Sequence, residues 1–255
     1  MRTVTIGQDQ ERFDRLDSTN SELLRRLKKE PLPEGKLIRA DQQTAGRGQR
    51  GSSWESRMGA DLTFSVLLFP KRLSPEEQFD LSRAVTLGIA EAIMYLHPPS
   101  NDHIRIKWPN DVLLGDQKLA GVLIENQVQG AWIGNSVVGI GFDLRSTERE
   151  IRLGHTSLES ATGVVIDEEE MLQCLCKGLE RRYFQLDQGD VKGIRENFHE
   201  RCYLLGHWGT FSNEEERFSA RVRGVDPSGR LVLEKADGKE LRYAAKELRF
   251  LDPTP

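Results

Sequence analysis

The amino-acid sequence predicts an α+β protein: one sizeable domain of strands and helices, followed by a small β-barrel. Three features carry the expectation. Four strand-like segments follow one another between Ile104 and Leu144. A helical repeat of about five turns precedes them, and two further helical segments come after. From about Trp208 the texture changes to short hairpins. The 255 residues allow one large domain, or one large and one small. We place the division at 1–204 and 205–255.

Taken in order, Met1–Leu16 has room for one short strand. Thr19-Asn20-Ser21-Glu22 reads as a capping box opening a helix through about Lys29, stopped by Pro31 and Pro33. Lys36–Ala40 and Leu62–Phe69 read as strands, with a glycine-rich segment, Thr44–Trp54, between them. Ser74-Pro75-Glu76-Glu77 is a second capping box, with proline at the first helical position. Apolar or small residues then recur at Leu81, Ala84, Val85, Gly88, Ile89, Ala92, Ile93 and Leu96, the spacing of a helix with one buried face. Ile104–Lys107, Asp111–Leu114, Lys118–Asn126 and Ala131–Leu144 are strand-like, the second and third joined by a two-residue turn at Gly115-Asp116. Asp167–Leu186 and Val191–Cys202 are helical in pattern. The hairpin region holds Phe218–Val225, a turn at Asp226-Pro227-Ser228-Gly229, Leu231–Glu234, a turn at Asp237-Gly238 and a last strand near Leu241–Tyr243.

Composition excludes several classes of function. With 36 basic and 40 acidic side chains the net charge is −4, which is no footprint for general nucleic-acid binding. The longest apolar runs, Leu62–Pro70 and Val137–Phe142, fall far short of the ~18 residues of a membrane span. The first residues hold no apolar signal core, so a cytoplasmic protein without a membrane partner is expected. Cys174, Cys176 and Cys202 match neither a CxxC nor a zinc-knuckle spacing and are expected to be inert.

Gly46-Arg47-Gly48-Gln49-Arg50-Gly51 spells GxGxxG, but Ser52-Ser53-Trp54-Glu55-Ser56 leads to a strand rather than a helix. A dinucleotide fold is therefore not indicated. Taken alone, the segment has two readings. One is a solvated surface loop with a core tryptophan beyond it. The other is an anion cradle: glycines open backbone N–H groups to a ligand, Arg47 and Arg50 add cationic forks suited to phosphate, and Trp54 offers a face for adenine. Four other segments carry similar alternatives. Lys107-Trp108-Pro109-Asn110-Asp111 ends a strand and presents Asn110 and Asp111, either as an ordinary turn or toward triphosphate oxygens and Mg²⁺. Lys118-Leu119-Ala120-Gly121 begins a strand, with space for a ligand beside the ammonium or with a plain edge lysine. Gly139-Ile140-Gly141 lies inside an apolar strand, where glycine weakens packing unless a ligand or backbone comes close. Asp17-Ser18-Thr19-Asn20 stands at a helix start, as cap or as site.

The conjunction of these segments, in this order from Asp17 to Leu144, resembles the biotin protein ligases (biotin–[acetyl-CoA-carboxylase] ligases). The resemblance implies a mixed-sheet catalytic domain akin to class II aminoacyl-tRNA synthetase cores and an SH3-like C-terminal barrel. It also implies the chemistry. Biotin and ATP·Mg²⁺ give biotinyl-5′-AMP and pyrophosphate, and a lysine of a biotin carboxyl carrier protein, or of such a domain in acetyl-CoA carboxylase or another biotin-dependent carboxylase, takes the biotinyl group. No enzyme nucleophile is needed; the task is positioning plus electrostatics. By motif, Ser18, Thr19 and Asn20 would line the biotin site and Gln43 would meet the ureido end. Gly46, Arg47, Gly48 and Gln49 would cover the biotin carboxylate and adenylate phosphate. Lys118 would be the key catalytic group, assisted by Arg47. Gly121 and Leu123 would form apolar wall, and Gly139 and Gly141 would pass close to the ligand. Arg50, Trp54, Asn110, Asp111 and Asp143 would serve ATP, Asp143 also as a metal ligand.

The family loop commonly reads GRGRRGRxW; here Gln49 and Ser52 each replace an arginine, and Asp143 stands where Asn is usual. Two fewer cations weaken the grip on the adenylate phosphate. Biotinyl-AMP is accordingly expected to leave faster from the native chain than from Gln49→Arg, with leakage onto non-cognate lysines; equal off-rates in a rapid-dilution assay would sink this. Competing expectations are a lipoate–protein ligase, which shares the fold and the adenylate chemistry, and a biotin-binding protein with weakened catalysis. Some members carry an N-terminal winged-helix DNA-binding domain of ~60 residues. Only 16 residues precede Asp17, so we expect a monofunctional ligase, monomer or homodimer, that binds no operator.

Overall fold

The computed structural model describes residues 5–145 and 154–251. The first sheet has seven strands: β1 (Gln10–Leu16), β2 (Leu37–Gln43), β3 (Asp61–Leu68), β4 (Ile104–Lys107), β5 (Asp111–Leu114), β6 (Gln117–Gln129) and β7 (Trp132–Asp143). Their order across the sheet is β1-β2-β3-β7-β6-β5-β4. Only β1 and β2 run parallel; every other neighbouring pair is antiparallel, so the sheet is mixed as expected. β3 is buried at all eight positions because both faces of the sheet are covered.

Among the described residues the α-helices are α1 (Thr19–Leu27), α2 (Phe79–Leu96), α3 (Leu158–Thr162), α4 (Glu168–Asp187) and α5 (Val191–Glu200). α2 and α4 lie against the sheet with Leu81, Val85, Leu87, Ile89 and Ile93 in one core with Phe64 and Phe142. Each fully buried side chain of this size contributes roughly 1.5–3 kcal/mol. The two helices approach so closely at Gly88 and Gly178 that a methyl on Gly88 would lie 2.8 Å from the Gly178 backbone. α1 covers the opposite face, where Leu23 packs with Ile38, Leu67 and Val137.

Two cap expectations change in detail. Ser18, not Thr19, caps α1, its hydroxyl accepting from the Ser21 N–H at 3.4 Å; Thr19 is thereby freed for the site described below. The Ser74–Glu77 box forms, but around a single 3₁₀ turn (Pro75–Glu77) that precedes α2. The short helix α3, capped by Ser157, had no periodic signal in the sequence because five residues do not complete a repeat.

The C-terminal residues form a five-stranded antiparallel sheet from β8 (Trp208–Ser212), β9 (Arg217–Val225), β10 (Leu231–Glu234), β11 (Glu240–Tyr243) and β12 (Arg249–Phe250), in the order β11-β10-β9-β8-β12. Phe211, Phe218, Val222, Leu231 and Leu233 make its core, and Trp108, from the turn between β4 and β5, enters that core. Cys174, Cys176 and Cys202 are buried and unbonded to one another. Burial pushes the Cys176 and Cys202 thiols up to about 12, far from the thiolate that reactivity needs. Among the described residues no helix is long and apolar enough to cross a membrane.

Candidate functional site

A cavity of about 230 Å³ opens over the face of β6 and β7, beneath the glycine-rich loop and the start of α1. Strand alternation builds its floor. Residues two apart share a face, and register pairs Gly121 with Gly141 and Leu123 with Gly139 across β6 and β7. β3 adds Thr63 beside Gly141 and Ser65 beside Gly139. Four floor positions close to the ligand space are thus three glycines and a leucine.

The floor glycines admit side chains of the site itself. A methyl on Gly139 would overlap the Asn20 side-chain amide, and one on Gly141 would overlap the Trp54 indole. One on Gly121 would lie 3.0 Å from Trp54 Cζ3 and 3.2 Å from Lys118 Nζ. Glycine here makes room for Asn20 and Trp54, where the sequence suggested only ligand or backbone. The Trp54 indole therefore lies against two glycines of neighbouring strands, with its buried Nε1–H lacking a hydrogen-bond partner. An unbonded buried indole donor is costly unless a ligand or water supplies an acceptor.

Around this floor stand polar groups in two sets. At the start of α1, Gln43 Oε1 accepts from the Thr19 N–H at 2.8 Å and the Thr19 hydroxyl at 3.1 Å. Ser65 donates to Asn20 Oδ1 at 2.6 Å and lies 2.7 Å from Thr19 Oγ1. Ser18, Thr19 and Asn20 are each 3% exposed, a satisfied and rigid polar array. The second set is charged. Lys118 Nζ lies 2.8 Å from Asp111 Oδ1 and 5.5 Å from the centre of the Trp54 ring. Arg47 Nη2 donates to Glu125 Oε2 at 2.6 Å, and the same oxygen accepts from Asn20 Nδ2 at 2.8 Å. Asn110 Nδ2 donates to the Val122 carbonyl and so ties the turn between β4 and β5 to β6.

A family model described as "Biotin/lipoate A/B protein ligase family" matches residues 12–143, the stretch that builds this cavity. The chain belongs to that family. It is 32% identical over 238 residues to the biotin–[acetyl-CoA-carboxylase] ligase of Paracoccus denitrificans, spanning 91% of this chain and 97% of that one. It is 29% identical over 252 residues to the bifunctional ligase/repressor BirA of Bacillus subtilis, spanning 96% of this chain and 75% of the relative. Among solved structures, the biotin protein ligase from Aquifex aeolicus in complex with biotin and ATP superposes with a TM-score of 0.77 at 26% identity, covering 96% of this chain and 99% of that one.

Seen as a site of the biotin/lipoate ligase family, the cavity gathers most residues singled out from the sequence. Ser18, Thr19, Asn20, Gln43, Arg47, Gly48, Gln49, Trp54, Asn110, Asp111, Lys118, Gly121, Leu123, Gly139 and Gly141 all line it. Gly46 stands behind the lining, where a methyl would overlap the Trp54 carbonyl. The Arg50 side chain lies outside the described residues. Asp143 shares the face of Gly139 and Gly141, one alternation farther along β7, without lining the cavity.

Asp143 has a distinctive setting. Across β3 it is registered with Asp61, whose carboxyl is bound by Arg57. Burial, with Asp143 as a nearby like charge, still lifts Asp61 to about 6 despite that arginine. Asp143 Oδ2 is buried without a hydrogen-bond partner, 3.7 Å from His155 Nδ1. Two carboxyl side chains thus stand side by side on neighbouring strands. Among the described residues no group of three or more His, Cys, Asp or Glu is placed to hold a metal ion.

Sequence reasoning missed Ser52, Ser53, Pro109, Val122 and Ile140 of the lining. It also missed Ser65 and Glu125, which organise the lining from behind. Ser65 was hidden inside an apolar run, although a serine at a floor position of a fully buried strand is a usable signal. Glu125 carried none, since its partners Arg47 and Asn20 are 78 and 105 residues away.

Proposed function

We propose that this chain is an ATP-dependent ligase that activates biotin as biotinyl-5′-AMP and transfers it to a lysine of a biotin carboxyl carrier protein. The observation that carries the reading is one cavity in which a satisfied polar array at α1, a tryptophan lying on glycines, and the cations Lys118 and Arg47 meet. In the first step a biotin carboxylate oxygen attacks the α-phosphorus of ATP, and pyrophosphate leaves with the electron pair of the broken P–O bond. In the second, the carrier ε-amine attacks the acyl carbon, the amide forms, and AMP leaves.

In this reading Lys118 holds the carboxylate and the α-phosphate oxygens, a role supported by its place in the cavity lining and by the Asp111 carboxylate 2.8 Å from its ammonium. Arg47 covers the same charges from the loop. Gln43 and Thr19 offer the polar partners that the ureido group of biotin needs, and Trp54 offers its open face and its unbonded N–H to the nucleotide. The chemistry then follows from alignment and charge stabilisation, without a protein nucleophile.

Mg²⁺ suits the donor set in a limited way. It is usually held by one or two carboxylates plus substrate phosphates, and Asp143 Oδ2, which accepts no hydrogen bond, would supply one such oxygen. When bound, the ion neutralises phosphate charge. Asp143→Asn is expected to raise the Mg²⁺ concentration for half-maximal activity severalfold; an unchanged titration curve would assign Asp143 a structural place only.

ATP as a substrate supports a cytoplasmic location. The acetyl-CoA carboxylase carrier is the partner suggested by the Paracoccus relative. We also read 205–255 as an SH3-like module appended to a synthetase-like domain of 1–204, an assignment supported by the separate five-stranded sheet and its own core. The deciding experiment is ATP–pyrophosphate exchange with biotin or lipoate, followed by transfer to purified carrier domain. Exchange and transfer with biotin are expected. Exchange with lipoate alone would overturn the reading in favour of lipoate ligation, and biotin binding without exchange would indicate a binding protein.

A further inference from the structure

Trp108 belongs to the Lys107–Asp111 segment that supplies Pro109, Asn110 and Asp111 to the cavity, yet its own side chain turns away from it. It is 3% exposed and sits in the core of the C-terminal sheet with Phe211, Val222 and Leu233. Its indole N–H donates to the Gly229 carbonyl at 2.9 Å, within the turn between β9 and β10. That turn is itself held. Gly229 has φ +86° and donates its N–H to the Asp226 carbonyl at 2.9 Å. Residue 229 has no room for a side chain, because a β-carbon would lie 2.5 Å from the Phe79 ring of α2. Arg83 of α2, 1% exposed, donates to the Asp226 carbonyl at 2.6 Å while stacking on Phe79 at 4.5 Å. Asp80 binds both Arg83 and Arg195, so the clamp spans α2, α5 and the turn.

The turn between β4 and β5 is short, and its far side carries function. Lys107 pairs with Asp111 across it, and Asp111 holds Lys118. Trp108 thus stands three positions before the residue whose carboxylate lies 2.8 Å from the Lys118 ammonium. A displacement of ~1 Å in such a group is enough to cost catalysis heavily.

We propose that the Asp226–Gly229 turn is a socket for Trp108, and that through it the C-terminal sheet positions the Asn110–Asp111 wall and hence Lys118. Trp108 is a positioning residue; it touches no reacting group. This rests on the assignment of Asp111 and Lys118 to adenylate formation given above.

Trp108→Phe keeps an aromatic ring in the core, removes the donor to Gly229 and leaves part of the indole's volume unfilled. In the full chain it is expected to lower kcat/KM for ATP in biotin-dependent pyrophosphate exchange roughly fivefold, the loss of about one net hydrogen bond. Biotin affinity measured without ATP should stay within about twofold. In an Asp111→Asn background the same substitution should cost less than about twofold, because the path to Lys118 is already cut. Equal losses in the two backgrounds, or a matching loss of biotin affinity, would overturn the proposal. Amide hydrogen exchange across 107–111, read with no substrate present, should rise in Trp108→Phe while β6 and β7 stay protected. Unchanged exchange also overturns it, whatever the substrate proves to be. Should the variant fold poorly, Arg83→Lys, which keeps a charge beside Asp80 but loses the planar fork, is expected to give the same pattern. Absence of any biotin-dependent exchange in the native chain would instead count against the ligase reading, leaving the hydrogen-exchange result to decide the socket.

Discussion

Lys118→Ala is expected to reduce biotinylation by at least about 100-fold, equivalent to about 2.7 kcal/mol of transition-state stabilisation, while the chain stays folded. Two contributions add. The ammonium that meets the carboxylate and the α-phosphate is lost, and such charge-assisted contacts are among the strongest a site makes. Its partner Asp111, now without the cation 2.8 Å away, remains as an uncompensated carboxylate facing phosphate. The second contribution gives the prediction its form: Asp111→Asn in the Lys118→Ala background should recover part of the loss. Stability should change little, since the Lys118 side chain is 26% exposed and its ion pair lies at a cavity mouth. Lys118→Arg is not expected to rescue, because the ammonium packs 3.2 Å from where a β-carbon on Gly121 would stand and a guanidinium fork is larger and planar. Single-turnover transfer to carrier, with a thermal melt alongside, measures both quantities. Turnover within about threefold of the native chain would remove Lys118 from its assigned role.

The second large effect concerns Gly141. A methyl there overlaps the Trp54 indole, so Gly141→Ala must push the ring off the floor formed with Gly121. Overpacking of this kind costs about 1–3 kcal/mol of stability. The KM for ATP should rise at least about tenfold, because the displaced ring no longer presents its face to the nucleotide and occupies ligand space. Biotin binding, which the proposed reading assigns to Thr19, Asn20 and Gln43, should be affected less. The double variant Gly141→Ala with Trp54→Ala separates the two consequences: the methyl gains room and stability should return, while ATP affinity should not. An unaltered KM for ATP in Gly141→Ala would show that Trp54 does not serve the nucleotide.

Much of this chain was legible beforehand, and the reason differs from element to element. β4, β5 and β10 fall on the residues predicted, because short strands bounded by Gly, Pro and Asp turns carry their limits in local chemistry. α2 was legible from its apolar period and α4 from its helical pattern; in the structure the Asp167 carboxylate caps α4, accepting from the N–H groups of Glu169 and Glu170. Ser18, in contrast, displaced Thr19 as the cap of α1 because Thr19 is held by Gln43 from a neighbouring strand, a contact that no local rule contains. The motif residues lining the cavity were legible as a set because of their order along the chain: some stand at a helix start, a turn or a loop, while Gly121, Leu123, Gly139 and Gly141 lie within β6 and β7.

By itself, then, the sequence determined the α+β class, the succession of strands and helices, the hairpin texture of the C-terminal residues and the motif order that resembles the family. These depend on periodicity, turn chemistry and motif order, all local along the chain. Tertiary structure alone decided which groups meet. Register between β6 and β7 set Gly121 opposite Gly141 and so laid Trp54 against them. It placed Asp143 against Asp61, gave Arg47 to Glu125, and turned Trp108 into the core of the other sheet. A strand's own sequence fixes which face a side chain takes, but a partner dozens of residues away is fixed only when strands pair, loops close and cores fill.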